Sequence, residues 1–155
     1  MVQVGDVAPD FTLPDQTGTP VQLRQLLGRR AVVLYFYPKD STPGCTVEAR
    51  AFQGSYDAFQ EAGAEVIGIS SDSVASHRRF AASEHLSFRL LSDRAGTVRD
   101  LYGVEKTLGI LPGRVTYVID QAGIVRHVYS SQIMVTRHSS EALDAVRALS
   151  PSGAP

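Results

Sequence analysis

The 155-residue sequence contains a single cysteine, so no disulfide can close within the chain and a framework of covalent staples is excluded. That thiol is either core filling or a reactive group kept usable in a reducing compartment. An excess of one charge is also missing: 15 Lys and Arg stand against 16 Asp and Glu, for a formal net charge of -1. The basic residues are scattered, so nucleic acid and anionic membrane, whose binding needs clustered Lys and Arg, are not expected partners. No apolar run approaches the roughly 20 residues that span a bilayer. The opening Met1-Val2-Gln3-Val4-Gly5-Asp6 lacks the basic and apolar stretches of a secretory leader, and the expected location is cytoplasmic. There is no internal repeat or low-complexity linker.

What is present is a globular balance, with 43% hydrophobic and 20% charged residues. The length suits one domain, expected over residues 1–150, with a polar, breaker-rich tail over 151–155 expected to be loose. Ala31 to Tyr37 is an uninterrupted apolar, β-branched and aromatic run closed by Pro38, which predicts a mid-sheet strand buried on both faces. After Pro43, Ala49, Phe52, Tyr56 and Phe59 recur at helical spacing and Gly63 ends the pattern. A second buried strand is read over 64–70, a polar helix over 74–85, a short strand over 88–91 and a small helix over 96–102. Residues 103–113, with Gly109, Pro112 and Gly113, read as an irregular loop. Two strand-like runs, 115–119 and 124–129, flank Asp120-Gln121-Ala122-Gly123 and predict an antiparallel hairpin, followed by a helix over 140–149. This order predicts an α/β, thioredoxin-like fold: a mixed central sheet with helices on both faces and an N-terminal extension.

Pro38-Lys39-Asp40-Ser41-Thr42-Pro43-Gly44-Cys45 runs from the end of the buried strand into a helix, the edge where ligand sites gather in open α/β sheets. Pro43 suits the first helical position, which places Cys45 in the first turn. Free backbone N–H groups and the positive end of the helix dipole favour a thiolate there. Thr42, three residues earlier, can cap the helix or hydrogen-bond the sulfur or an incoming oxygen. Against this stands the common case of a lone cysteine as inert packing.

The run Phe36 to Glu48 resembles the peroxiredoxin active-site motif Pro-x-x-x-Thr-x-x-Cys, and is most similar to the peroxiredoxin Q, or bacterioferritin comigratory protein, group. Gly5 to Phe11, Gly68 to Asp72 and Leu90 to Asp93 resemble further family segments, and Leu111 to Asp120 resembles the stretch that supplies the family's catalytic arginine, here Arg114. The resemblance implies a thiol-dependent peroxidase with Cys45 as nucleophile and with Thr42 and Arg114 holding the peroxide oxygens. Pro38, Gly44 and Glu48 are expected to shape the peroxide site, Pro38 shielding the sulfur and Glu48 orienting its neighbours. Arg50 stands where many members of the group carry a resolving cysteine, which implies a one-cysteine enzyme. The implied partners are a hydroperoxide and an external thiol such as thioredoxin, glutaredoxin or a low-molecular-weight thiol. No cofactor is implied. Members of this type are often monomeric, and a dimer stays open.

Four other readings are weighed. A peroxide sensor or holdase would oxidise Cys45 without efficient turnover. A cysteine hydrolase would need a histidine base beside Cys45. Metal binding has little support, since His77, His85, His127 and His138 are dispersed and read as surface residues. Thioredoxin-type exchange fails because position 42 is Thr where Cys-x-x-Cys needs its first cysteine.

Overall fold

The computed structural model of the chain describes residues 1–104 and 113–153. Two short strands, β1 (Thr12–Pro14) and β2 (Pro20–Gln22), form an antiparallel pair ahead of a one-turn helix, α1 (Leu23–Leu26). The main sheet follows with β3 (Ala31–Phe36), β4 (Ala64–Ser70), β5 (Arg89–Ser92), β6 (Val115–Ile119) and β7 (Val125–Ser130). Its spatial order is β5-β4-β3-β6-β7. Strands β3, β4 and β5 run parallel, whereas β6 is antiparallel to both β3 and β7.

The central strand is buried along its whole length because alternate side chains serve two cores. Val32, Leu34 and Phe36 face one core, with Phe11, Leu23, Val98, Tyr102 and Tyr117. Ala31, Val33 and Tyr35 face the other, with Cys45, Phe52, Phe59, Phe80 and Val146. Helices therefore cover both faces of a mixed sheet, as the sequence pattern predicts. On the second face lie α2 (Pro43–Gly54), α3 (Tyr56–Glu61), α4 (Val74–Ser83) and α6 (Arg137–Gly153); α5 (Thr97–Tyr102) packs on the first.

Three boundaries differ from the sequence reading. The helix expected from Pro43 to Gly63 is broken at Ser55, which leaves helical geometry at ψ 9°. Gly54 precedes the break and weakens the helix there; Phe52 before the break and Phe59 after it are both completely buried. The last helix starts three residues earlier than read, and its backbone runs through to Gly153, into the stretch read as tail. The N-terminal pair β1 and β2 goes beyond the sequence pattern, because three-residue strands carry too little alternation to register. Gly109, Leu111 and Pro112 of the expected loop lie outside the described residues. The hairpin is as read: Asp120 Oδ1 accepts from the N–H groups of Ala122 and Ile124, and Gly123 takes a φ of +85°.

Candidate active site

Two chain segments meet at the carboxyl end of β3. Because β6 runs antiparallel to β3 and pairs Phe36 with Val115, the residue just before β6, Arg114, is delivered beside the loop that leaves β3. That loop leads into α2, where Thr42 occupies the cap position, Pro43 the first helical position and Cys45 the third. The first intrahelical bond runs from the Thr46 N–H to the Thr42 carbonyl at 2.9 Å. The Gly44 and Cys45 N–H groups thus lie outside the helix's own bonding and at the positive end of its dipole.

Cys45 is 2% exposed. Its Sγ accepts from Arg114 Nη2 at 3.5 Å, and the neighbouring Nη1 donates to Glu48 Oε1. Gly44 makes room for this: a Cβ there would stand 3.2 Å from Arg114 Nη2. Thr42 does not cap the helix and does not bond the sulfur; its hydroxyl donates to the Lys39 carbonyl at 2.8 Å. With its proton spent there, the Thr42 oxygen faces other groups as an acceptor. Pro38 is half-buried and opens the loop. Ser41, at φ 63°, makes the turn toward the helix in the left-handed region.

Glu48 is fully buried, and burial pushes its carboxyl up to about 8 against the pull of the Arg114 guanidinium. At neutral pH it therefore keeps a proton. Oε1 is engaged by Arg114, so that proton belongs on Oε2, which has no hydrogen-bond partner among the described residues and lies 3.6 Å from His138 Nδ1. A neutral Glu48 leaves the positive charge of Arg114 available to a thiolate at Cys45.

The histidines correct the sequence reading. His85 is exposed and His127 half-buried, but His77 and His138 are completely buried. His138 Nε2 faces the Ser131 carbonyl at 2.8 Å and so donates to it, which leaves Nδ1 to accept from the Thr116 hydroxyl at 2.8 Å. Burial brings His138 down to about 4; the Ser131 bond opposes this and the Arg114 charge adds to it. His77, from α4, joins Asp40 and Asp72, with ligand-type atoms within 4.8 Å of one another. These atoms are already used inside the protein. His77 lies 2.7 Å from Asp40 Oδ2 and 2.9 Å from the Leu91 carbonyl, while Asp72 Oδ2 accepts from the Asp40 N–H and Ser70 Oγ. The trio anchors the active-site loop from below, with Tyr37 and Ser76 also donating to Asp40. Nothing in a single sequence marks these histidines, since burial is decided by which elements pack over them.

A single thiol held by a fixed guanidinium at a helix start can attack an electrophilic oxygen while the cation receives the charge that develops. The hydrolase arrangement is not formed: among the described residues, Arg114 is the hydrogen-bond partner of Cys45, and no histidine nitrogen bonds its sulfur.

Comparison with known proteins agrees with this geometry. A family model described as AhpC/TSA family matches residues 4–128. The chain belongs to that family. Within it, the chain is 50% identical over 149 residues to a chloroplastic peroxiredoxin Q of Triticum aestivum, covering 96% of this chain and 68% of that protein. Identity to its counterpart in Arabidopsis thaliana is 51% over 148 residues, covering 95% and 68%. The peroxidoxin BcpB structure from Mycobacterium tuberculosis superposes with a TM-score of 0.90 at 43% identity, over 96% of this chain and 99% of that one. A Xanthomonas campestris bacterioferritin comigratory protein, described through its alkyl peroxide reduction activity, gives 0.85 at 33% identity, over 97% and 98%. The chain is thus a peroxiredoxin of the Q group, a thiol-dependent peroxidase with a thioredoxin-like fold. Where that group often has its resolving cysteine, Arg50 instead bonds Glu84 Oε1 at 2.5 Å on the surface.

Proposed function

We propose that the chain reduces hydrogen peroxide and organic hydroperoxides by a one-cysteine cycle centred on Cys45. The Cys45 thiolate attacks the terminal oxygen of a hydroperoxide and an S–O bond forms as the O–O bond breaks. The sulfur becomes a sulfenic acid, and the departing oxygen takes a proton and leaves as water or an alcohol. Thr42 accepts from the hydroperoxide O–H, and Arg114 donates to the oxygen on which charge builds. An external thiol then condenses with the sulfenic acid, releasing water and leaving a mixed disulfide, and a second thiol frees Cys45. Without that thiol, further peroxide drives the sulfur irreversibly to sulfinic acid.

The observation that supports this reading is the Arg114 contact to the sulfur in a chain with no second cysteine. Thioredoxin, glutaredoxin and low-molecular-weight thiols are the candidate reductants. A monomer over residues 1–150 is the proposed working unit. The cytoplasm is its proposed compartment because a lone thiol needs reducing surroundings, although the two plant relatives named above are chloroplastic.

The test is hydrogen peroxide consumption with dithiothreitol, comparing the parent with Cys45→Ser, together with intact mass after a brief peroxide pulse without reductant. The expected result is activity that vanishes in the variant and a gain of one oxygen atom, or its trapped adduct, in the parent. Stoichiometric oxidation without cycling would replace turnover by the sensor reading, and an unreactive thiol in folded protein would end both.

A further inference from the structure

The two segments that carry the site are joined by a residue that belongs to neither. Arg99, on α5, is 7% exposed. Its Nη2 donates to the Tyr37 carbonyl at 3.0 Å, and its Nη1 donates to the Gly113 carbonyl at 3.0 Å. Tyr37 is the last residue before Pro38 and the active-site loop; Gly113 immediately precedes Arg114. One planar fork therefore spans the departure point of the Cys45 segment and the arrival point of the Arg114 segment.

The fork is itself held. Asp93 accepts from the Val98 N–H at 3.2 Å and from the Arg99 N–H at 2.9 Å, which fixes the start of α5. The guanidinium also lies 5.7 Å from the centroid of the Phe36 ring, at the end of β3. Among the described residues no carboxylate oxygen comes within ion-pair distance of it; its bonds go to carbonyls. A buried cation satisfied this way keeps most of its field for its surroundings. Burial lowers the Arg99 pKa, and negative charge at Asp93, Asp100 and Cys45 works against that fall. The interaction is mutual: the buried Arg99 cation attracts negative charge on the Cys45 sulfur.

We propose that Arg99 is a positioning residue of the peroxidase reaction, clipping the Cys45 loop to the Arg114 strand through the Tyr37 and Gly113 carbonyls and adding a second positive charge to the thiolate's surroundings. This rests on the peroxidase reading above. Lysine at position 99 would keep the charge without the two-pronged bridge, and methionine would keep neither.

Two readouts on Arg99→Met and Arg99→Lys separate these contributions, with cooperative urea unfolding as the check on folding. The first is the pH midpoint of Cys45 alkylation by iodoacetamide, which involves no peroxide; the second is the rate of hydrogen peroxide reduction. In Arg99→Met the midpoint is expected to rise by about half a pH unit or more and the rate to fall about tenfold or more. In Arg99→Lys the midpoint is expected to stay near that of the parent while the rate still falls severalfold. A folded Arg99→Met with parental midpoint and rate would overturn the proposal. If Arg99→Met does not fold, a parental rate in Arg99→Lys does the same. A parent that alkylates readily but does not consume peroxide would sink the peroxidase reading while leaving the alkylation comparison legible.

Discussion

Arg114 Nη2 lies 3.5 Å from Cys45 Sγ across a separation of 69 residues in sequence. The antiparallel pairing of β3 with β6 produces this meeting, so the contact is as rigid as the sheet that delivers it. Removing it takes away a charged donor aimed at the sulfur and, in the proposed cycle, at the peroxide. Arg114→Ala should slow peroxide reduction by roughly a hundredfold or more, the usual cost of one lost transition-state donor, and should move Cys45 alkylation to higher pH. Stopped-flow rates and an alkylation profile check both; parental values would remove Arg114 from the mechanism.

Glu48 sets an upper pH limit on that donor. Below about 8 its carboxyl is neutral and the Arg114 charge serves the sulfur. Above it, an ionised Glu48 competes for the guanidinium, so the peroxide rate should decline on the alkaline side, and Glu48→Gln should abolish the decline. Stability follows the same titration. The folded value lies above the ordinary 4.5, so the contribution is fully present below 4.5 and is lost as pH rises through about 8. Urea unfolding of the parent across this window should lose up to about 1.4 kcal/mol per pH unit relative to Glu48→Gln. Parallel pH curves for the two proteins would refute this.

His138 works in the opposite direction. Its folded value is about 4 against an ordinary 6.5, so the contribution is present above 6.5 and is lost as pH falls through about 4. The parent should weaken between these values by up to about 3 kcal/mol relative to His138→Gln. Acid titration of the unfolding midpoint is the measurement, and an unchanged acid slope in the variant would contradict it.

Gly68 pairs with Tyr35 across β3 and β4, and a Cβ at Gly68 would stand 2.9 Å from the Tyr35 ring and 3.0 Å from Leu90 Cδ2. Tyr35 in turn stacks on Phe52 of α2 with ring centroids 4.4 Å apart. Gly68→Ala should therefore destabilise the protein by about 1–3 kcal/mol through overpacking and lower peroxidase activity through α2. A melting temperature equal to the parent's would show that the ring yields freely.

The position of Cys45 was legible in a proline-led helix start, whereas Arg114 was reached only through the resemblance of Leu111 to Asp120 to a family segment, since an arginine at a strand start carries no local signal. The central strand was legible because burial on both faces leaves no polar position in Ala31 to Tyr37. His138, His77 and Arg99 were not legible. Each lies on a helix whose sequence is largely polar and becomes buried only when a strand end or loop is laid over it. The Ser55 break was hidden for a similar reason, since Phe52 and Phe59 sit at a spacing that a straight helix also satisfies.

Arg50 has a consequence for how the protein is repaired. A cysteine there would share a helix with Cys45 at a Cα separation of roughly 8.7 Å by helix geometry, beyond the roughly 6.8 Å reach of a disulfide. Closing such a bond would require the first turns of α2 to unwind in every cycle. With arginine tied to Glu84, the helix can stay wound from one turnover to the next. In the one-cysteine cycle proposed above, the oxidised sulfur forms at a residue only 2% exposed, so the rescuing thiol has to reach a buried atom. Access to that atom then takes its place beside reducing power in separating a protein restored to service from one retired by overoxidation.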